Sequence, residues 1–255
     1  MNQSGISTSA KPEVLQSTAA RHSAEAAEPG AVRRVGPSSD LQPNQMIKAI
    51  FWDNDGVLVE TEHLYFQATQ HVLASVGIRL TQEEYIELFL VQGRGAWHLA
   101  EERGIAPRDI DRLRNERNAL YADRLAQAAR LTADITRVLE ALHGKYVMGV
   151  VTSSRKDHFD LIHRTTGLLK YFDFVLTASD FSRVKPDPEP YLRAVERSGV
   201  GREACVAIED SERGLASAKG AGISCIVVPT ALTQGGNFDG AHRVLGSVGD
   251  ILAWL

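Results

Sequence analysis

One short stretch constrains this chain more than any other, because an apolar run leads straight into two aspartates. The run occupies residues 49–52, and Asp53, Asp55 and Gly56 follow it. Such a run predicts a buried strand that ends at a turn, with side chains alternating so that both carboxylates can point the same way. Their mutual repulsion would be roughly 4 kcal/mol at an effective dielectric of ~20. The pair therefore predicts either a bound divalent cation with oxygen ligands or a solvated turn.

Length and charge set the outer limits on what the chain can be. Its 255 residues suffice for one large or two modest domains with a sizeable core. The formal net charge of −4 gives no reason to expect a nucleic-acid or anionic-membrane partner. No apolar run approaches the ~20 residues that a membrane-spanning helix needs. Cys205 and Cys225 lie in separate apolar runs, which indicates buried structural thiols and is typical of a cytoplasmic protein.

Hydrophobic periodicity divides the chain into three kinds of segment. Residues 1–45 are rich in Ser, Ala, Gln, Pro and Gly without a sustained period, which predicts a disordered N-terminal tail. Residues 61–131 carry helical spacing and no strand signal, so we expect several helices inserted after the first strand. In residues 132–255 strands alternate with helices. Together with residues 46–60, this segment predicts an α/β core built on a doubly wound parallel sheet.

Polar side chains follow several of the predicted strands, at the edge of a parallel sheet where ligands bind. Thr152 and Ser153 follow the second core strand, Glu209 and Asp210 follow a later one, and Lys185 lies between them. Each has an ordinary alternative, because hydroxyls cap helices, lysines are usually solvated and acids favour the first turn of a helix. Taken together, carboxylates that bind a metal and a nearby lysine suit the charge of a phosphate group.

Four motifs in this order resemble those of the haloacid dehalogenase superfamily of phosphotransferases. They are the sequence DNDGVLV at residues 53–59, the Thr-Ser pair at 152–153, KPDPE at 185–189 and EDSERG at 209–214. The resemblance implies a Rossmann-like core, and the inserted helices resemble the cap of phosphoglycolate phosphatase-like and β-phosphoglucomutase-like members. It also implies that catalysis proceeds through a phosphorylated aspartate.

The resemblance assigns an expected role to each motif residue. Asp53 is the expected nucleophile, Asp55 the acid that protonates the leaving alcohol and then deprotonates water, and Lys185 the partner of Asp53 and the phosphate. Thr152 and Ser153 are expected to bind the transferring group.

The same resemblance predicts a Mg²⁺ ion and a substrate contact from the cap. Asp53, Asp210 and the backbone carbonyl of Asp55 are the expected ligands, with Glu209 close by or bridging through water. Arg94, in a Gly-Arg-Gly break, is the predicted cap contact to an anionic substrate, although a plain surface arginine explains it almost as well. Cap closure would exclude water from the reaction.

These features predict a Mg²⁺-dependent phosphatase for a small phosphorylated metabolite, either a sugar phosphate or a phosphoglycolate-like acid. The rival is a β-phosphoglucomutase-like enzyme, whose histidine position holds Tyr65 here, although His63 lies nearby. A receiver-like, non-catalytic module shares the acids and the lysine but needs neither Asp55 nor an insert.

Two further expectations concern assembly and the remaining histidines. We expect a monomer or weak dimer. We also expect His158 and His163 to lie at the surface, because two residues five positions apart do not lie on one face of a helix.

Overall fold

A computed structural model describes residues 46–255 of the chain. The predicted disordered tail at residues 1–45 lies outside the described residues. Within the described range no helix is long and apolar enough to cross a membrane.

Strands alternate with helices after residue 132, as the periodicity predicts. The strands are β1 (Ala49–Trp52), β2 (Val59–Glu60), β3 (Arg130–Leu131), β4 (Val147–Val151), β5 (Phe174–Leu176), β6 (Cys205–Glu209), β7 (Ser224–Val227) and β8 (Arg243–Val244). The α-helices are α1 (Glu62–Ala74), α2 (Gln82–Tyr85), α3 (His98–Glu102), α4 (Pro107–Ala128), α5 (Ile135–Leu142), α6 (Lys156–His163), α7 (Glu189–Ser198) and α8 (Glu212–Gly220). A π-helical turn, Ile86–Val91, continues α2, and short 3₁₀ turns occupy Leu168–Tyr171, Arg202–Ala204 and Val248–Ala253.

Six strands form a parallel sheet in the order β5-β4-β1-β6-β7-β8. The central strand β1 pairs with β4 and β6 in a register that sets Trp52 opposite Val150 and Ile208. The carboxyl ends of β1, β4 and β6 therefore lie side by side. This topology confirms the predicted Rossmann-like α/β fold, and it brings the residues that follow these three strands to one edge.

The sheet is buried on both faces because its strands are apolar throughout. Along β1, Ile50 and Trp52 face one core layer while Ala49 and Phe51 face the other, and all four are fully buried. Helices α5 and α6 cover the first face, and α7 and α8 cover the second. Each large apolar side chain buried in this way contributes roughly 1.5–3 kcal/mol. The continuous burial explains why the strands read as apolar runs rather than as alternating patterns.

Helices α1 to α4 form an insert between β2 and β3, which pair as a short antiparallel ribbon. The predicted capping box of α2 is present: the Thr81 hydroxyl accepts a hydrogen bond from the Glu84 amide, and the Glu84 carboxylate accepts one from the Thr81 amide. Strand β3 is an exception to the all-helical expectation for residues 61–131. The sequence could not predict it, because two residues are too few to show a period. The division into a cap at 61–131 and a core stays a prediction.

The expectation that His158 and His163 lie at the surface is wrong, since each is 6% exposed. Helix α6 packs against the sheet on one side and against α4 on another, so two different faces of it are buried. The ring of His158 meets Tyr121 of α4 edge-on, at 5.0 Å between centroids. His163 Nε2 lies 2.7 Å from Asn54 Oδ1. Spacing along a helix could not reveal these two sides, because the partner elements are distant in sequence.

The His163 ring is held neutral by its surroundings. Burial lowers the pKa of His163 from its ordinary value of 6.5 to about 4, although the charge of Asp55 partly opposes this. The ring also lies 2.9 Å from the Thr166 hydroxyl through Nδ1. A neutral ring that donates from Nε2 and accepts at Nδ1 satisfies both contacts, and it turns the Asn54 amide nitrogen towards Asp55.

We predict that His163 makes folding sensitive to mild acid. Its folded-state pKa is depressed, so its contribution to stability is complete above about 6.5 and is lost as the pH falls towards 4. From about pH 7 to about pH 5, this loss amounts to about 2 kcal/mol of unfolding free energy. Denaturant unfolding at both pH values should show a smaller loss in His163→Gln than in the original chain. Equal losses in the two proteins would contradict the buried, neutral ring.

Candidate active site

Lys185 is the central cation of the site, and it is 4% exposed. Its ammonium group donates hydrogen bonds to Asp53 Oδ1 at 2.9 Å, to Glu209 Oε1 at 2.6 Å and to the Val151 carbonyl at 2.7 Å. The three acceptors belong to the ends of β1, β4 and β6 or directly follow them. One side chain thus uses all three ammonium protons to join three neighbouring strands.

The loop between β5 and α7 carries Lys185 to this position. The Ser153 hydroxyl accepts a hydrogen bond from the Lys185 amide at 3.3 Å, and Arg213 Nη2 donates to the Lys185 carbonyl at 2.7 Å. Tyr191, from α7, donates its hydroxyl to Glu209 Oε1, so the helix that follows the loop also supports the acid that Lys185 binds.

Asp53, Glu209 and Asp210 form a buried acidic cluster in which one carboxylate oxygen of each lies within 4.8 Å of the others. Glu209 is fully buried, and its Oε2 has no hydrogen-bond partner among the described residues. Gly56 lets Asp210 approach the chain closely, since a Cβ there would lie 2.3 Å from Asp210 Oδ2 and its φ of +83° also favours glycine. The cluster therefore depends on a residue without a side chain.

The charges in this cluster do not balance. Burial raises the pKa of Asp53 to about 8, with Glu209 adding to the rise and Lys185 opposing it. Burial, followed by repulsion from Asp53 and Glu209, raises the pKa of Asp210 well above its usual range. Burial alone would lower the pKa of Lys185, but Asp53 and Glu209 outweigh it and raise that pKa. One lysine cannot neutralise three buried carboxylates, so the donor set fits a hard divalent cation that prefers oxygen ligands.

Asp55 lies apart from that cluster and has its own partners. Its carboxylate accepts hydrogen bonds from the hydroxyls of Thr61 and Ser154 and from Asn54 Nδ2, the last at 3.2 Å. The two aspartates of the first motif are therefore held by different groups. Neither Thr61 nor Ser154 was singled out from the sequence, although Ser154 directly follows the Thr-Ser motif.

The Thr-Ser pair after β4 forms a tight turn at the mouth of the site. Thr152 is 1% exposed, and its hydroxyl accepts a hydrogen bond from the Ser154 amide at 3.0 Å. Because the Thr152 hydroxyl oxygen accepts that hydrogen bond, its own proton stays available to donate to a ligand oxygen. Ser153 lines the same opening while its hydroxyl also accepts from the Lys185 amide.

A cavity of about 530 Å³ lies between the strand ends and the insert. It is lined by the predicted site residues Asp53, Asp55, Arg94, Thr152, Ser153, Lys185 and Asp210. Glu209 does not line it and lies beneath, bound to Lys185 and Tyr191. The structure thus brings the predicted residues to one cavity or directly under it, and it sets the exposed Arg94 on the wall that the insert provides.

Arg213 joins the core to the insert beside this cavity. Its Nη1 donates to the Phe89 carbonyl at 2.9 Å, while its Nη2 donates to the Lys185 carbonyl. Gly93 permits the contact, because its φ is +69° and a Cβ there would lie 3.0 Å from Arg213 Nε. This link was not foreseen from the sequence, since the fourth motif gave no sign that its arginine reaches the insert.

Comparisons with known proteins agree with this geometry. The family described as haloacid dehalogenase-like hydrolase matches residues 50–228. Protein CbbY of Cereibacter sphaeroides is 33% identical over 219 residues, which cover 81% of this chain and 94% of that protein. A phosphorylated carbohydrates phosphatase of Thermotoga maritima is 31% identical over 185 residues, covering 71% and 84% of the two chains.

A solved structure extends the likeness to three dimensions. The crystal structure of a CbbY mutant from Rhodobacter sphaeroides in complex with xylulose 1,5-bisphosphate superposes with a TM-score of 0.66 at 29% identity. The match covers 79% of this chain and 95% of that one. The family match spans well over half of the chain and includes all four motifs. This chain belongs to the haloacid dehalogenase-like hydrolases.

Proposed function

We propose that the chain is a Mg²⁺-dependent phosphatase that hydrolyses a small phosphorylated metabolite through an aspartyl-phosphate. The observation that carries the proposal is the contact of Lys185 with Asp53 at the floor of a cavity that Thr152 and Asp210 also line. The likeness to a phosphorylated carbohydrates phosphatase supports a sugar phosphate as the substrate, and a phosphoglycolate-like acid is the alternative. A monomer or weak dimer in the cytoplasm remains our expectation.

The first step is attack on phosphorus by Asp53. Lys185 binds one oxygen of this carboxylate and leaves the other to form the new bond to phosphorus. As the bond between phosphorus and the ester oxygen breaks, Asp55 donates a proton to the departing alcohol. The Thr152 hydroxyl and the backbone at Ser153 orient the oxygens of the transferring group, which is held in line by positioning rather than by further covalent chemistry.

The second step returns Asp53 to its starting state. Asp55, now ionised, takes a proton from water as the water oxygen bonds to phosphorus, and the bond between phosphorus and Asp53 breaks to release inorganic phosphate. The hydrogen bonds from Thr61, Ser154 and Asn54 fix the direction in which Asp55 points during both transfers. The two aspartates can therefore play different roles although one residue separates them.

A Mg²⁺ ion fits the acidic cluster, where the orphaned Glu209 oxygen and the raised pKa values of Asp53 and Asp210 both indicate missing positive charge. Asp53, Asp210 and the backbone carbonyl of Asp55 would hold it, with Glu209 adjacent. When bound, it would neutralise charge on the transferring phosphate.

The geometry favours hydrolysis over a mutase reaction. Tyr65 occupies the position of the mutase histidine and lines the cavity, whereas the exposed His63 lines a different one. A receiver-like module would not need the proton donor Asp55 or the insert.

We expect Asp53→Asn to abolish hydrolysis of para-nitrophenyl phosphate, because an amide cannot serve as the nucleophile. Phosphate release measures the rate, and a thermal unfolding transition checks the fold. Asp123→Asn, an exposed aspartate of α4 that does not line the cavity, is the matched control and should keep the original rate. Appreciable turnover by folded Asp53→Asn would refute the assignment.

We expect Asp55→Asn to slow steady-state hydrolysis by about 10²–10⁴-fold, the usual effect of removing an acid–base group. With para-nitrophenyl phosphate, whose leaving group needs no proton donor, the variant should still release a rapid burst of nitrophenolate before slow turnover. Stopped-flow absorbance resolves the two phases. An unaltered steady-state rate would remove Asp55 from the mechanism.

We expect chelation with EDTA to silence the enzyme and Mg²⁺ to raise its melting temperature, because the ion relieves repulsion among buried carboxylates. Asp210→Asn should raise the metal-free melting temperature and abolish the shift that Mg²⁺ causes. Differential scanning fluorimetry measures both effects. Activity that survives chelation, or a normal Mg²⁺ shift in Asp210→Asn, would show that the cluster is not the metal site.

A further inference from the structure

Arg213 occupies a position in its helix that electrostatics alone does not favour. It is the second residue of α8, so its cation lies in the first turn, where the partial positive charge of the helix dipole opposes it. Its half-buried guanidinium binds two backbone carbonyls instead, that of Phe89 in the insert at 2.9 Å and that of Lys185 in the core at 2.7 Å. These two contacts, rather than the helix, account for an arginine here.

On the insert side, Arg213 supplies a donor near the end of the π-helical turn Ile86–Val91. The last carbonyls of a helical turn lack donors from their own element. The amides of residues 94 and 95 both donate to the Leu88 carbonyl, and Arg213 Nη1 donates to the next carbonyl along the chain, that of Phe89. The Phe89 side chain is 9% exposed and packs in the apolar cluster of the insert. Its carbonyl is therefore fixed to the insert and moves when the insert moves.

On the core side, the same guanidinium holds the backbone of the loop that carries the site lysine. The Lys185 amide donates to the Ser153 hydroxyl at 3.3 Å, and the Lys185 carbonyl accepts from Arg213 Nη2. From this backbone the side chain reaches Asp53 at 2.9 Å. A displaced loop would carry the ammonium group with it, so the contact with Arg213 bears on the ion pair at the floor of the cavity.

The shape of a guanidinium suits it to join two carbonyls from different parts of the fold. Its terminal nitrogens are fixed in one plane, so a contact that orients one of them orients the other as well. Gly93 makes the approach possible, because a Cβ there would lie 3.0 Å from Arg213 Nε and 3.4 Å from Cζ. The insert thus lacks a side chain at the point where the arginine crosses to it.

We propose that Arg213 is a positioning residue that couples the docking of the insert to the placement of Lys185. With the insert docked, the Phe89 carbonyl holds the guanidinium in the orientation in which Nη2 binds the Lys185 carbonyl. When the insert moves away, that orientation is lost and the hold on the loop weakens. The value of this coupling for catalysis rests on the proposed phosphatase function: Lys185 is held most firmly beside Asp53 while the insert covers the reacting phosphate.

Hydrogen exchange with mass spectrometry tests the coupling on the full chain without any substrate. Residues 86–95 report on the insert side, and residues 181–188 report on the loop that carries the site lysine. Gly93→Ala disturbs the contact from the insert, because a φ of +69° strains alanine and the new Cβ meets the guanidinium. Gly104→Ala is the matched control, since this glycine of the insert has a φ of +75° and nothing lies within 4 Å of an added Cβ.

We expect Gly93→Ala to speed exchange in residues 181–188 about 10-fold, although the substitution lies in the insert, because a hydrogen bond from a charged donor is weakened. Arg213→Met should speed exchange there to a similar extent. Adding Gly93→Ala to Arg213→Met should cause no further change in that segment. Gly104→Ala should leave it as in the original chain.

The catalytic consequence is measured separately, as kcat/KM for para-nitrophenyl phosphate. Gly93→Ala and Arg213→Met should each lower it, and the double variant should be no worse than the weaker single variant, because both substitutions break the same contact. Absence of hydrolysis in the original chain would refute the phosphatase, whereas the exchange experiment tests the coupling whether or not the chain is active.

Two results would overturn the proposal. Unchanged exchange of residues 181–188 in Gly93→Ala would show that the insert does not act on the loop, and this result needs no variant of Arg213. An effect of Gly93→Ala on that segment that persists at full size in the Arg213→Met background would show that the influence of the insert does not pass through Arg213.

Discussion

The buried ammonium of Lys185 is the interaction on which the rest of the site depends. It joins Asp53, Glu209 and the Val151 carbonyl, which come from three neighbouring strands of the sheet. Removing one partner from a buried ion pair typically costs 3–5 kcal/mol, because the remaining charge is left without compensation. The register of the three strands, the loop that carries Lys185 and helix α7 therefore all position groups around the Lys185 nitrogen atom. Three carboxylates lie around this single ammonium group, and a further cation would balance their excess negative charge.

Two aspartates one residue apart acquire different properties from their surroundings. Asp53 faces Lys185 and two other acids, while Asp55 is bound by Thr61, Ser154 and Asn54. The neutral ring of His163 orients the Asn54 amide from behind, so the second aspartate is supported by a network that reaches helix α6. Under the proposed mechanism this separation lets one carboxylate act as a nucleophile and the other move protons.

The sequence predicts the sheet and its chemical edge well, because both depend on local signals. Apolar runs identify the strands, parallel order follows from alternation, and the residues after each strand then have to meet. What the sequence does not predict depends on contacts between distant elements. His158 and His163 are buried because α4 covers α6, and Arg213 reaches Phe89 because Gly93 lets it approach.

Under the proposed mechanism Asp53, paired with Lys185, accepts the phosphoryl group from the substrate. The most direct measurement is acid quenching during steady-state turnover of para-nitrophenyl phosphate, followed by proteolysis and mass spectrometry of the peptides. We expect one phosphoryl group on the peptide that contains residues 53–55, and we expect fragmentation of that peptide to assign it to Asp53. A phosphoryl group on Asp55, Ser153 or Ser154 would contradict it.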